Sequence, residues 1–200
     1  PLENASLMYP SAVIYKCLID MMGAEHIWIP GVHMTRGIAY EYAEQMKLLK
    51  GGHNFENDIL MAAKNIGKRY AVNRPHVQNL EMTALAMFDA TKKMHGMKER
   101  ERLLLQMAVM LHDVGKYISF NNVADSSYNI IMSNEIIGLS HIEREMVALI
   151  ARYNTVTLPS YDELVMESSL SAEQYLTVSE LTAIVRLANA LDRSHLQKIQ

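Results

Sequence analysis

The chain has 200 residues, half of them hydrophobic, which is enough to bury a sizeable core in one or two domains. Its formal net charge of −3 lacks the strongly basic balance of nucleic-acid-binding proteins, so DNA is not an expected partner. No apolar run approaches the roughly 20 residues that a membrane-spanning helix needs. The single cysteine, Cys17, excludes an internal disulfide, and its apolar neighbours predict a buried structural thiol. We expect a soluble, cytoplasmic chain.

The first fifty residues differ in pattern from the rest. Residues 11–22 have helical periodicity, residues 26–30 are a short β-branched and aromatic run typical of a strand, and a second helix is predicted from about Thr35. This order of helix, strand and helix indicates the edge of an α/β layer over residues 1–50. Gly51-Gly52 is the predicted linker to the next domain.

Residues 51–200 are predicted to be helical. Residues 55–70 form one predicted helix, and Pro75 fits the first turn of another that runs to about His95. Capping-box patterns predict the starts of two further helices, at Ser140-x-x-Glu143 and Thr177-x-x-Glu180. The predicted fold class is therefore mostly α, a helical bundle with a short α/β segment at its N-terminal side.

One predicted helix is apolar nearly all round and runs into a charged pair. Within residues 103–111 only Gln106 is polar, a pattern typical of a buried helix. His112 and Asp113 follow directly, and Gly115 is well placed to end the helix. A carboxylate in a dry interior is costly unless it is paired or bound to a cation. Adjacent helical residues point about 100° apart, so His112 and Asp113 could both bind one metal ion.

Helix phase brings two more metal-ligand residues to apolar faces. His76 shares a stripe with Leu80 and Ala84, and Asp192 shares one with Val185 on the last helix. Helical proteins build metal sites from facing side chains of this kind. Taken singly, His76 also fits a core or capping histidine, and Asp192 also fits a buried hydrogen-bond acceptor.

Two sets of motifs resemble known families. Leu111-His-Asp-Val-Gly-Lys116, with His76 upstream and residues 186–195 downstream, resembles the HD domain, an all-α superfamily of metal-dependent phosphohydrolases. Nearly the whole chain resembles the C-terminal half of exopolyphosphatase/guanosine pentaphosphate phosphatase (Ppx/GppA) enzymes. The segments that carry this second resemblance are Tyr9-Pro-Ser-Ala-Val-Ile14, Ile38-Ala-Tyr40, Tyr128-Asn-Ile-Ile131 and Gly138-Leu-Ser140 with Glu143.

The resemblance implies a domain organisation and a site. Residues 1–50 would be the tail of an actin-like phosphatase domain, and residues 51–200 an HD-type helical domain. The full-length protein would be a hydrolase of phosphoanhydrides in polyphosphate or a phosphorylated guanine nucleotide. The implied metal ligands are His76, His112, Asp113 and Asp192, and the implied catalytic residues are His112, Asp113 and Lys116. Such a mixed set suits a divalent ion, and does not distinguish Mg, Mn, Fe and Zn.

Two positions depart from the fuller family pattern. Asp125 and Asn154 stand where some relatives have histidines, so we expect at most one tightly held ion per chain. The candidate phosphate-binding cations are Lys116, Arg144, Arg152 and Arg193, each of which also fits a solvated surface charge.

The sequence contains no glycine-rich loop of the kind that binds phosphates with backbone amides. The alternative function is therefore an accessory module without catalysis of its own, which binds phosphate groups or pairs two copies of the chain in a homodimer. The chain alone is expected to hydrolyse polyphosphate poorly.

Overall fold

The computed structural model describes residues 2–26, 34–46, 48 and 54–193, and it divides the chain into two compact units, Pro1–His53 and Asn54–Gln200. All regular secondary structure in the described ranges is helical, which confirms the mostly α fold class. The strand predicted at residues 26–30 falls largely on residues 27–30, which lie outside the described ranges. The α/β character of the N-terminal segment therefore stays a prediction.

The first unit contains α1, Leu2–Met22, and α2, Met34–Gln45. α1 begins earlier than the predicted start at residue 11, because Pro10 lies within the helix and does not end it. Cys17 is exposed, so the prediction of a buried thiol is wrong. Among the side chains that the structure describes in this unit, none is buried, which explains why apolar neighbours in the sequence do not cover Cys17.

The second unit is a helical bundle. Its described helices are α3 (Phe55–Arg69), α4 (Arg74–His95), α5 (Glu99–Leu111), a 3₁₀ helix (Val114–Tyr117), α6 (Val123–Ser133), α7 (His141–Tyr153), α8 (Tyr161–Leu164) and α9 (Ala172–Leu191). In the described parts of both units, no helix is long and apolar enough to cross a membrane.

Residues at both ends of α4, the helix that carries the candidate ligand His76, determine where the helix begins and ends. The side chain of Asn73 accepts a hydrogen bond from the backbone N–H of His76, at 3.3 Å, and caps the start of the helix. Pro75 occupies the first turn, as predicted. The helix ends at Gly96, whose φ of 66° is the left-handed conformation that glycine adopts without strain. His76 is therefore held in the first turn of α4 with its side chain buried.

The predicted buried helix, α5, lies at the centre of the bundle. It packs against α3, α4, α7 and α9, and residues 103–111 are buried except for Gln106. The Gln106 side chain donates to the Glu81 carboxylate at 2.6 Å, which satisfies the one polar group of this stretch. α5 thus carries His112 and Asp113, the residues that follow it, into the interior.

The two predicted capping boxes have different outcomes. Ser140 caps α7, with its hydroxyl accepting from Glu143 N–H and the Glu143 carboxylate accepting from Ser140 N–H, which confirms that prediction. The prediction at Thr177 is wrong, because α9 already begins at Ala172 under a capping box of Ser171 and Gln174. Thr177 lies within the helix, where its hydroxyl donates to the Glu173 carbonyl at 3.1 Å.

Gly115 does not end α5, so that prediction is also wrong. The helix ends at Leu111, and Gly115 lies in the 3₁₀ helix that follows. A Cβ atom at Gly115 would stand 2.3 Å from the Val123 carbonyl oxygen and 2.6 Å from Ser127 N. Glycine is needed here because α6 approaches the backbone too closely for any side chain.

Candidate metal centre

His112 and Asp113 lie at the C-terminal end of α5, where the helix changes to the 3₁₀ helix. His112 Nδ1 is 2.8 Å from the Val109 carbonyl oxygen. A carbonyl oxygen only accepts hydrogen bonds, so Nδ1 carries a proton, and the neutral form of the ring has its lone pair on Nε2. This backbone contact fixes both the tautomer and the orientation of the ring.

The lone-pair side of His112 faces the carboxylate of Asp113. His112 Nε2 is 3.3 Å from Asp113 Oδ2, yet it makes no hydrogen bond to any atom in the described part of the chain. Both side chains are buried, and at this distance no water molecule fits between the two atoms. Two ligands bound about 2.1 Å from one ion lie roughly 3 Å apart, which matches this spacing. The spacing is therefore compatible with both side chains binding one metal ion.

His76 joins this pair from α4. Its ring centroid is 5.4 Å from that of His112. His76, His112 and Asp113 each offer one ligand atom, and these atoms all lie within 4.8 Å of one another. The sequence predicts that four residues converge on one ion, and three of them form this group; Asp192, the fourth, is not a member of it.

Asp192 contacts the same cluster through His76. It directly follows α9, it is 2% exposed, and its Oδ2 is 2.8 Å from His76 Nδ1. The stripe of Val185 and Ala188 is buried, as helix phase predicts, and it carries Asp192 inward with it.

Lys116 gives Asp113 a positively charged neighbour. The Lys116 ammonium group contacts Asp113 Oδ2, the same oxygen that faces His112. Burial by itself would raise the pKa of Asp113, but hydrogen bonding and charge from His112 in its protonated form, together with Lys116, outweigh burial and hold that pKa well below its usual value. Asp113 is therefore ionised at neutral pH and available to a cation.

A cavity of about 780 Å³ opens beside this cluster. Its walls include Asp113, Lys116, Arg152 and Arg193, so three of the four predicted phosphate-binding cations come together. Arg144 does not line this cavity. Its guanidinium group instead donates to the Asn134 carbonyl oxygen and to His141 Nδ1, both at 3.2 Å.

Two lining residues, Arg186 and Asn189, were missed by the sequence analysis. Both lie on the face of α9 that carries Ala190 and that Arg193 continues just after the helix, and Asn189, Ala190 and Arg193 follow Arg186 by three, four and seven residues. These are the spacings of one helical face, so helix phase applied from Arg193 would have found them.

The two departures from the fuller family pattern also line the cavity. Asp125 Oδ1 is 2.8 Å from Arg152 Nη2, and Asn154 Oδ1 accepts a hydrogen bond from Asn189 Nδ2 at 2.8 Å. Each residue is thus engaged by a neighbouring side chain of α7 or α9.

The remaining described histidines do not join the cluster. His95 Nε2 donates to the Phe88 carbonyl oxygen at 2.9 Å, and its Nδ1 accepts from Met97 N–H, so this ring supports the end of α4. His141 accepts from Arg144, and His26 is exposed. The three others, His33, His53 and His195, lie outside the described residues.

The second unit is a helical domain with a buried His-His-Asp cluster beside a cavity lined by cations. Comparison with known sequences shows the family to which it belongs. Residues 60–200 match the family model of the Ppx/GppA phosphatase, domain III. The chain therefore belongs to the Ppx/GppA phosphatase family, which confirms the resemblance to that family. It is 20% identical over 187 residues to the guanosine-5'-triphosphate,3'-diphosphate pyrophosphatase of Vibrio atlanticus (strain LGP32). That match covers 92% of this chain and spans 36% of the relative.

Proposed function

We propose that this chain is the HD-type domain of a phosphatase acting on phosphoanhydrides of polyphosphate or guanosine pentaphosphate, and that it binds the phosphate groups beside one divalent ion. The observation that carries the proposal is the placement of the His76, His112 and Asp113 cluster next to a cation-lined cavity. Family membership and the name of the Vibrio relative support this substrate class.

The charges in the cavity favour an elongated anion. Two of its four cations already have acidic partners, since Lys116 contacts Asp113 and Arg152 pairs with Asp125. Arg186 and Arg193 have no carboxylate partner among the residues that the structure describes. They lie seven residues apart, Arg186 within α9 and Arg193 just after its end, and seven helical residues rise about 10 Å. A chain of several phosphates can contact both arginines through different phosphate groups.

Different side chains of the site would bind the metal ion and the phosphate groups. His76, His112 and Asp113 would hold the ion, and Asp192 contacts His76. When bound, a divalent ion supplies positive charge that stabilises phosphoryl oxygens. Lys116 and Arg152 flank the cluster and are placed to neutralise the charge of a neighbouring phosphate group. Arg186, Asn189 and Arg193 would hold the phosphates farther along.

Binding experiments test the proposal. Tripolyphosphate and longer chains should bind the native chain more tightly than orthophosphate, because the longer ligands can contact Arg186 and Arg193 through different phosphate groups. Arg186→Gln should weaken tripolyphosphate binding about five- to tenfold, which corresponds to the roughly 1 kcal/mol of one typical net hydrogen bond. Arg69→Gln is the matched control, since Arg69 is an exposed arginine at the end of α3 that does not line the cavity. Equal losses in the two variants would contradict the proposal.

Hydrolysis by this chain alone is the second candidate function. It is favoured by the contact of His112, Asp113 and Lys116 at the edge of the cavity. Orthophosphate release from long-chain polyphosphate, measured with Mg²⁺ and again with Mn²⁺, decides between the two. We expect little release by the native chain, because the sequence lacks a phosphate-binding loop and rapid anhydride cleavage needs groups clamped around the transferring phosphoryl. A robust rate that His112→Ala abolishes would make the cluster itself the catalyst.

A further inference from the structure

The contact between Asp192 and His76 distinguishes Asp192 from the other three candidate ligands, His76, His112 and Asp113. His76 is fully buried and Asp192 is 2% exposed, and Asp192 Oδ2 is 2.8 Å from His76 Nδ1. Three ligand atoms, one each from His76, His112 and Asp113, lie within 4.8 Å of one another. Asp192 is not a member of that group, although it lies in the described part of the chain.

The direction of this hydrogen bond determines which nitrogen of His76 can bind an ion. An ionised carboxylate only accepts hydrogen bonds, so the proton of the neutral His76 ring lies on Nδ1 and the lone pair lies on Nε2. His112 is fixed in the same tautomer, with Nδ1 donating to the Val109 carbonyl oxygen. The two imidazoles are thus oriented alike, one by a backbone carbonyl and the other by Asp192.

We infer that Asp192 is a positioning residue that orients His76 and is not a fourth metal ligand. The inference rests on the proposed metal binding. A carboxylate that accepts from the second nitrogen of a ligand histidine fixes the ring and raises its basicity, and losing such a partner weakens metal binding about 10- to 100-fold. Three protein ligands, rather than four, are also the arrangement of sites that leave room for a substrate group.

Three variants separate positioning from ligation. Asp192→Asn keeps the size and an oxygen that accepts from His76 Nδ1, while it removes the negative charge. Asp192→Ala removes the acceptor altogether. Asp113→Asn is the matched control, because it makes the same chemical change in a residue of the three-atom group.

The measurement is Co²⁺ binding to the full chain by calorimetry and by visible absorption, which reports the number and type of ligands. Asp192→Asn should bind Co²⁺ with a native absorption spectrum. Asp192→Ala should lose about 10- to 100-fold in Co²⁺ affinity, and Asp192→Asn should lose less. Asp113→Asn should lose more than either and should change the spectrum. An Asp192→Asn spectrum altered in the same way as that of Asp113→Asn would overturn the inference.

Nitrogen NMR of the metal-free chain gives a second readout that does not need the ion. The native His76 ring should be protonated on Nδ1, Asp192→Asn should keep this tautomer and Asp192→Ala should lose it. A native His76 ring protonated on Nε2 would overturn the inference even if Asp192→Ala fails to fold. Absence of Co²⁺ binding by the native chain would instead overturn the proposed function, and the tautomer result would still decide the role of Asp192 toward His76.

Discussion

Arg152 is held in the wall of the cavity by its ion pair with Asp125, in which Arg152 Nη2 and Asp125 Oδ1 are 2.8 Å apart. The guanidinium carbon also lies 5.3 Å from the ring centroid of Tyr128 and 5.4 Å from that of Tyr153. Cation–π contacts at such distances are favourable, so the guanidinium group is fixed by three neighbours. A permanent positive charge therefore stands beside the candidate metal centre.

This arrangement predicts that the chain retains at most one divalent ion. Asp125 is neutralised by Arg152, and Asn154 is a neutral amide that already accepts a hydrogen bond from Asn189. Neither offers the ligand strength that a second transition-metal ion needs, and the guanidinium charge repels one. Elemental analysis after dialysis against Mn²⁺ or Zn²⁺ should give no more than one equivalent. Asp125→Ala should leave that number unchanged, and two retained equivalents in the native chain would contradict the prediction.

Glu143 should make the stability of the bundle depend on acid pH. Its hydrogen bonds to Arg100, opposed by partial burial and helped by Ser140, lower the pKa of Glu143 from 4.5 to about 2. A lowered folded-state pKa gives stability that is present above pH 4.5 and is lost as the pH falls toward 2. Because the pair is partly exposed, we expect a contribution of about 1 kcal/mol.

Urea unfolding of the native chain and of Glu143→Gln, measured between pH 7 and pH 2, checks this prediction. The difference in unfolding free energy between the two should be largest at pH 7 and should shrink below pH 4.5. Glu180→Gln serves as a control, since Glu180 lies within α9 away from Arg100. A native-to-Gln difference that stays constant with pH would contradict the assignment to this ion pair.

Gly115→Ala should strongly destabilise the second unit. An added Cβ would lie 2.3 Å from the Val123 carbonyl oxygen, and relieving that overlap moves α6 away from the backbone. The move would break the hydrogen bond from Gly115 N–H to Ser127 Oγ and the bond from that hydroxyl to the His112 carbonyl oxygen. Overpacking and lost buried hydrogen bonds together should cost about 2–4 kcal/mol.

Chemical denaturation followed by circular dichroism measures the cost of Gly115→Ala. Gly37→Ala is the control, because nothing lies within 4 Å of the position that its Cβ would take. Divalent-ion affinity should also fall in Gly115→Ala, since Ser127 supports the backbone of His112. A variant that keeps native stability would show that α6 can shift without harm to the site.

The helical framework and the burial of the four candidate ligands could be predicted from local patterns. The apolar run of residues 103–111 identified α5 as buried, and stripes at helical spacing brought His76 and Asp192 to inner faces. These features depend on residues close together in the sequence. The start of α9 was predicted wrongly because Thr177 and Ser171 offer competing cap patterns, and local sequence does not rank them.

Features that depend on pairs of distant residues were beyond the reach of periodicity. The close approach of α6 to Gly115 involves two segments whose separation no helical period encodes. The contact of Asp192 with His76 joins residues 116 positions apart, so the sequence showed both as inward-facing without showing which atom meets which. The spacing of Arg186 and Arg193 is visible in the sequence. The cavity that both residues line is not, so the sequence alone gave no reason to single out Arg186.

Lys116→Met should tighten metal binding and weaken phosphate binding at the same time. The Lys116 ammonium group contacts Asp113 Oδ2, the oxygen that lies 3.3 Å from His112 Nε2, so Lys116 competes with a metal ion for that carboxylate. Removing a like charge from the neighbourhood of a divalent ion favours the ion by roughly 1 kcal/mol at the effective dielectric of a partly exposed site, or about fivefold in affinity. The same variant removes a cation that can contact tripolyphosphate, so this ligand should bind several-fold more weakly.

Calorimetric titrations with Mn²⁺ and with tripolyphosphate measure the two affinities. Lys93→Met controls for net charge, because Lys93 is an exposed residue of α4 that does not line the cavity. Weaker Mn²⁺ binding in Lys116→Met would mean that the lysine supports the metal centre instead of competing for Asp113.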